Sequence, residues 1–315
     1  MTSEPVFESA ACTFCGSGDA QPLFEGPDRL LYLPGEFRVV RCAHCGLLRQ
    51  DPRPTPETIA FYYPPEYEPY SVAIDEEPSR LRRWDRRYGM RKRQRAIERR
   101  CPGGRLLDVG CATGNFLYEM ARTGHWQVEG VEPNAKAAAY GREHLGLTIH
   151  ADELTNVELP AAAYDVITMW NVLEHLHAPV ENLQAAARLL KPGGWFIFSI
   201  PNLASWERRL LGKYWMGWEL PRHLLYPSAG QMGTQLRKMG LVMVDWECLV
   251  GAYPSFLLSL RFWLESTAGR TRWTQAFLVL SGSLPVRLLN APAFALLTRL
   301  NRASLITGFA RAEGR

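Results

Sequence analysis

The sequence predicts an α/β fold: a parallel sheet with crossover helices, preceded by a small cysteine-bearing module and followed by an apolar helical segment. Three observations carry this. From Arg105 to Ile200, short apolar runs alternate with helical patterns at the spacing of strand–helix–strand units. Ahead of that stretch stand two Cys-x-x-Cys pairs, Cys12/Cys15 and Cys42/Cys45. Beyond it, residues 252–300 repeat leucines and aromatics at helical spacing.

Taken in order, residues 1–50 read as a zinc-binding knuckle module, with a short apolar run at Phe37, Val39 and Val40 before the second pair. Residues 51–100 form a connector and a basic helix. Asp51-Pro-Arg-Pro-Thr-Pro is stiff, because each proline removes a donor and fixes φ. The aromatic run from Phe61 to Tyr70 follows. Residues 80–100 then read as a helix with Leu81, Trp84 and Tyr88 on one face. Residues 101–251 carry the core. Strands are expected at Arg105–Val109, Gln127–Val131, Tyr164–Trp170, Trp195–Ile200 and Leu241–Val250, and helices at Phe116–Arg122, Ala135–Leu145 and Val180–Leu190. Lys191-Pro-Gly-Gly stops the last of these helices. Residues 252–315 are the apolar helical segment, with a final strand at Ser304–Ala310 returning to the sheet.

Composition bounds the classes. At 47% hydrophobic and 22% charged the chain is an ordinary globular protein, neither disordered nor fibrous. Thr2–Ala10 is polar, so no signal peptide is expected, and four of seven cysteines fall in the two pairs. Both facts point to a reducing, cytoplasmic setting with a metal site, not a disulfide framework. The net charge of +4 is uneven. Arg80–Arg100 holds eleven Lys/Arg against Asp85 and Glu98, hence +9, and the remainder sums to −5. Such a run reads either as a solvated helix face or as a contact for an anionic partner.

The chemistry starts at Leu106-Leu-Asp-Val-Gly-Cys-Ala-Thr-Gly-Asn115. A strand ends at Asp108, Gly110 and Gly114 make a tight turn, and a helix begins with its N–H donors free. Dinucleotide-binding turns use the same logic, but an acid before the first glycine would repel a pyrophosphate and suits an amino-acid moiety. Glu132, ending the next strand, is placed to accept hydrogen bonds from ribose hydroxyls. Two Cys-x-x-Cys pairs form a tetrahedral thiolate set that zinc prefers, closed to substrate and therefore structural. The 26 residues between them exceed the roughly 15–20 of short ribbons. A looped excursion must bring Cys12, Cys15, Cys42 and Cys45 together.

These motifs resemble class I S-adenosylmethionine (SAM)-dependent methyltransferases. Asp108-Val-Gly-Cys-Ala-Thr-Gly114 looks like their first motif, with Ala112 where many members have a third glycine. Glu132 is similar to their ribose-binding acid. Asp152 sits where they have an acid for the adenine amino group. Tyr164–His175, with Trp170 and Asn171, resembles the fourth-strand motif, and Leu189–Gly194 the turn before the fifth strand. The resemblance implies a Rossmann-like class I methyltransferase sheet binding SAM through Asp108, Gly110, Gly114, Glu132, Asp152, Trp170 and Asn171. With the knuckles and the tyrosine-rich stretch, residues 11–250 are similar to bacterial sugar C-methyltransferases and related polysaccharide and natural-product methyltransferases. A small-molecule or glycan acceptor, nucleotide- or lipid-linked, is implied.

Acceptor-side residues are expected on loops at the C-terminal strand ends. His223, in Glu219-Leu-Pro-Arg-His, is the first candidate for a base or acceptor-binding residue, and His175 stands beside the cofactor motif. Asn171, Glu174, His175 and His223 are also similar to the metal-binding pattern of certain O-methyltransferases, small-RNA ones included, with Asn171 replacing the first glutamate. The competing class is a nucleic-acid-binding zinc protein, and the absence of aromatic-interleaved RNA motifs argues against it. The apolar helices at 252–300 are expected to cover a sheet edge, to form a homodimer, or to lie with the basic helix on a membrane's inner face.

Overall fold

The computed structural model describes residues 4–64, 67, 77–249 and 252–314, the side chains of Leu81 and Arg82 excepted. Strands β1 (Phe7–Glu8), β2 (Ala20–Pro27), β3 (Glu36–Cys42), β4 (Leu48–Gln50) and β5 (Arg53–Pro54) precede helix α1 (Arg80–Glu98). Next come β6 (Gly104–Val109), α2 (Asn115–Ala121), β7 (Trp126–Val131), α3 (Ala135–Leu145) and β8 (Thr148–His150). They are followed by β9 (Tyr164–Trp170), α4 (Pro179–Leu189), β10 (Leu190–Pro201), α5 (Trp206–Leu211) and β11 (Leu225–Tyr226). The chain finishes with α6 (Ala229–Lys238), β12 (Leu241–Glu247), α7 (Ala252–Ala268), α8 (Arg272–Ser281), α9 (Leu284–Arg299) and β13 (Leu305–Ala312).

Two compact units share the chain. One takes Met1–Tyr62, Ile200–Ala229 and Trp246–Thr307, the other Tyr63–Ser199, Gly230–Asp245 and Gly308–Arg315. The second unit is built around a seven-stranded sheet of order β12-β13-β10-β9-β6-β7-β8. The pairs β10–β9, β9–β6, β6–β7 and β7–β8 are parallel, as the crossover helices require. Its central strands read as nearly continuous apolar runs because both faces are covered: Leu106, Leu107, Val166, Ile167, Phe196 and Ile197 are fully buried. Local signals set the helix ends. Asn134 accepts from the amides of Lys136 and Ala137 to start α3, and Gly146, at φ 65°, closes it. Lys191-Pro-Gly-Gly ends α4 as expected, but β10 already begins at Leu190 and absorbs the turn as a register irregularity before Trp195.

Helix α1 forms over the expected range, yet its faces are not the expected ones. Trp84 and Tyr88 are exposed and stacked on each other at 5.2 Å, while Ala96 and Ile97 are buried; the side chain of Leu81 lies outside the described residues. Arg86, Arg93 and Arg100 recur every seventh residue along the buried side. Arg100 lies 3.5 Å over the Phe309 ring and pairs with Asp245 at 3.0 Å. The charge run is therefore not one solvated face.

The other unit holds an antiparallel four-stranded sheet, β11-β4-β3-β2, and the two-stranded β1–β5. Its core is aromatic: Phe37, Tyr62, Trp215, Trp218 and Tyr226 cluster with Val39, Leu48 and Leu220. Ring pairs there meet edge-on, Phe37–Tyr62 at 5.5 Å and Trp215–Trp218 at 5.3 Å. Segment 200–229 thus packs with strands laid down 150 residues earlier in the chain. At its centre Arg222 and Asp28, both fully buried, form a forked pair at 2.5 and 3.0 Å, and the Tyr62 carbonyl accepts a further bond at 3.1 Å.

Candidate functional site

In the sheet unit the loops after β6, β7 and β9 carry most of the expected cofactor residues. Gly110 (φ 71°) and Gly114 (φ 79°) hold the turn after β6. A Cβ on Gly110 would lie 2.5 Å from Val172 Cγ2, and one on Gly114 2.5 Å from Leu147 Cδ1, so neither position admits a side chain. Ala112, where the family pattern often has glycine, also adopts positive φ, 49°. Its amide explains why this is held: it donates to Glu132 Oε2 at 2.8 Å, while Asn134 donates to Oε1 at 2.8 Å. Glu132 is buried, which pushes its pKa up; the two amides resist that shift.

Asp108 is buried beside it and accepts from Thr168 Oγ1 at 2.6 Å. Burial raises its carboxyl to about 7; Thr168 and the Arg93 guanidinium oppose the shift, and Glu132 adds to it. Arg93 is itself pulled down to about 10 by burial, against the field of Asp108, and lies 4.7 Å over the Trp170 ring. The Arg93 Nε and Trp170 Nε1 are buried and make no hydrogen bond among the described residues. Buried donors without partners around a carboxylate suit a polar ligand carrying both charges, and an amino-acid moiety has them. Arg93 is the functional candidate that the charge count concealed. Its one sequence signal is that it lies three and four residues before buried Ala96 and Ile97.

Asn171 turns the chain at φ 58° after β9, its amide donating to Ser199 Oγ at 3.0 Å and its Oδ1 accepting from that hydroxyl at 2.9 Å. Its Nδ2 donates to buried Glu174 at 3.3 Å. His175 ends the next turn, with Nδ1 hydrogen-bonded to the Tyr63 hydroxyl at 2.8 Å; Tyr63 and Tyr67 pack edge-to-face at 5.1 Å. Asp152 is at the surface, capping a short turn by accepting from the Glu153 amide and Asn156 Nδ2, bonds that lower its pKa.

In the other unit, the four sulfurs of Cys12, Cys15, Cys42 and Cys45 lie within 4.8 Å of one another, with Cys12–Cys45 at 3.4 Å and Cys15–Cys42 at 3.6 Å. All four are free thiols. Zinc–thiolate bonds of about 2.3 Å put tetrahedral sulfurs a little under 4 Å apart, so the set fits that ion. Each knuckle turns through a glycine, Gly16 at φ 75° and Gly46 at φ 73°, whose amide donates to the first cysteine's carbonyl. Amide and thiol donors outweigh desolvation at Cys42 and lower it to about 6, while burial pushes Cys45 up to about 12 and raises Cys12 as well. His223 is buried here too. Its Nδ1 donates to the Gly217 carbonyl at 2.9 Å, its Nε2 is 3.6 Å from Glu219, and burial pulls it down to about 4. Tyr62 belongs to the aromatic core, donating to the Pro34 carbonyl.

The sheet and its glycine turn define a Rossmann-like methyltransferase. A solved structure from Galdieria sulphuraria, named for sarcosine dimethylglycine methyltransferase, superposes with a TM-score of 0.50, covering 78% of this chain and 91% of that one; at 14% identity this concerns the fold alone. The methyltransferase domain family matches residues 81–245, and the chain belongs to it. Among curated relatives, a ubiquinone biosynthesis O-methyltransferase of Thiobacillus denitrificans is 40% identical over 164 residues, 47% of this chain and 70% of that one. Its counterpart in Burkholderia pseudomallei is 31% identical over 156 residues, 46% and 67%. The chain is a SAM-dependent methyltransferase. Residues 1–80 and 246–315 lie outside the family match.

Proposed function

We propose that this enzyme transfers the SAM methyl group to a hydroxyl oxygen of a small-molecule or glycan acceptor. The observation that carries the reading is the buried pair of carboxylates, Asp108 and Glu132, flanking the glycine turn, with the half-buried Arg93 beside Asp108. The names of the relatives, O-methyltransferases at 31–40% identity, support oxygen as the methylated atom. SAM supplies a sulfonium methyl with a good leaving group, so the chain has to align the acceptor and take a proton.

Asp108 takes the cofactor's ammonium and Arg93 its carboxylate. Glu132, fixed by two amides, offers its remaining lone pairs to the ribose hydroxyls. Gly110 and Gly114, with no Cβ to meet Val172 and Leu147, hold the left-handed turn that offers its backbone amides to the cofactor, Trp170 and Asn171 line the pocket, and Asp152 answers the adenine amino group. His175, oriented by Tyr63, is the proton acceptor. Zinc on the four cysteines is structural, locking the two knuckles. A sugar acceptor, nucleotide- or lipid-linked, is the glycan form of the same reading.

The test is methyl transfer from labelled SAM by the full zinc-loaded chain to hydroxylated small molecules, nucleotide-linked sugars, lipid-linked sugars and RNA. Ether formation on one of the first three classes, reduced at least about a hundredfold in His175→Ala, supports the proposal. Transfer to RNA alone, or only to nitrogen or carbon, overturns it.

A further inference from the structure

Helices α8 and α9 are held to their unit by very little. Among the described residues α8 buries only Thr274, and α9 only Phe294, whose ring meets Tyr253 at 4.9 Å and Phe256 at 5.4 Å. Their outer sides are apolar. Trp273 is 85% exposed and Leu289 81%; Phe277 and Leu280 continue the α8 stripe, and Leu296 and Leu300 that of α9, each at least half exposed. The spacings, i, i+4, i+7 and i, i+7, i+11, put each set on one helix face. Single exposed leucines are ordinary, but stripes of this kind on two consecutive helices mark an interaction surface.

Charge says what covers it. No Asp or Glu occurs from Ser266 to Ala312, while Arg270, Arg272, Arg287, Arg299, Arg302 and Arg311 do. Arg272 and Arg299 are exposed and make no ion pair among the described residues. A second copy apposed through a twofold axis would bring arginine toward arginine with no carboxylate to answer. An anionic lipid surface answers the exposed Arg272 and Arg299. At the end of α9, Leu300, Asn301 and Arg302 line a cleft of about 560 Å³ that Arg208, Arg209 and Asn202 complete and no acid enters. Arg208 Nε is buried there and makes no hydrogen bond among the described residues, while its Nη1 donates to the Leu203 carbonyl at 2.7 Å.

We propose that the α8–α9 pair docks on an anionic bilayer, its apolar stripes at the headgroup–acyl boundary and the Arg208–Arg209–Arg302 cleft holding a lipid phosphate. The pair lies on the bilayer and does not cross it. Helices of 10 and 16 residues reach about 15 and 24 Å, short of the roughly 30 Å hydrocarbon core. Among the described residues no single helix is long and apolar enough to span; α8 and α9 together are, by length and composition, but they are bent by 62° at their junction. The inference is independent of the acceptor.

Flotation of the full chain with phosphatidylcholine vesicles, with and without phosphatidylglycerol, tests it, and SAM affinity serves as the folding control. The wild type is expected to float roughly tenfold more with the anionic vesicles. Trp273→Glu with Leu289→Glu abolishes flotation, and Arg209→Gln with Arg302→Gln removes the anionic preference, both with SAM affinity intact. A wild type that stays behind, or a double-glutamate variant that floats equally, overturns the proposal. So does a variant that changes only a dimer into a monomer, which would give the face to a second copy.

Discussion

The two units bury charge in opposite ways. In the aromatic unit, Arg222 and Asp28 answer each other completely: both carboxylate oxygens are bound, Leu30 and Leu31 donate to Oδ1, and the guanidinium also reaches a carbonyl. In the sheet unit, Asp108 and Glu132 are equally hidden beside the half-buried Arg93, yet among the described residues Asp108 accepts a single side-chain bond and the buried Arg93 Nε makes no hydrogen bond. A closed network is built for rigidity, an open one for a ligand that is still to come. The difference separates a scaffold from a binding site without reference to any family.

If the comparison is right, each unit fails in its own way. The largest effect is expected for Asp28→Asn, which takes the fully buried carboxylate from Arg222 and leaves Glu219, at 3.3 Å from Nε, as its remaining ion-pair partner. Breaking such a pair costs about 3–5 kcal/mol, read by urea unfolding of the full chain. SAM affinity of the fraction that remains folded should stay within about twofold, since no cradle residue is touched.

Next is the metal. Cys42→Ser should lower bound zinc from one ion per chain to almost none by elemental analysis, and a chelator should lower the unfolding midpoint of the wild type but not of the variant. That outcome follows from binding free energy that is also folding free energy.

A smaller effect concerns pH. With no cofactor bound, the Asp108 carboxyl titrates near 7, raised by burial against Thr168 and Arg93 and further by Glu132. A group raised on folding stabilises the fold below its unfolded value and loses that contribution as pH rises through 7. An ammonium ligand favours the ionised form, so SAM affinity should climb by up to about tenfold between pH 6 and pH 7.5, with proton release that calorimetry in two buffers detects. The same profile in Asp108→Asn should be flat. The smallest effect is Tyr63→Phe, which removes the bond to His175 Nδ1. At about 1 kcal/mol it should lower kcat several-fold and leave the KM for SAM unchanged.

How much of this was legible in the sequence follows the same division. The cradle is made by consecutive strand–turn pairs, so Asp108, the glycines and Glu132 sit in unbroken stretches whose local geometry dictates their placing. The four cysteines were legible too, because thiolate ligands come in fixed spacing. What local pattern could not convey is pairing across long separations. Nothing near Arg222 announces Asp28, and nothing in Trp215–Tyr226 announces a core shared with Phe37 and Leu48. Arg93 was hidden among eleven like charges, because a count of charge ignores which helix face each one occupies. Trp84 and Tyr88 misled for the converse reason: two aromatics found cover in each other instead of in the core.

The most direct test of the cofactor cradle is calorimetric titration of the full, zinc-loaded chain with SAM at pH 7.5, beside Glu132→Ala. One SAM per chain is expected for the wild type and at least a hundredfold loss, roughly 3 kcal/mol, in a variant with an unchanged circular-dichroism spectrum. A folded wild type that takes up no SAM, or a variant that binds as tightly, would contradict the assignment of the cradle.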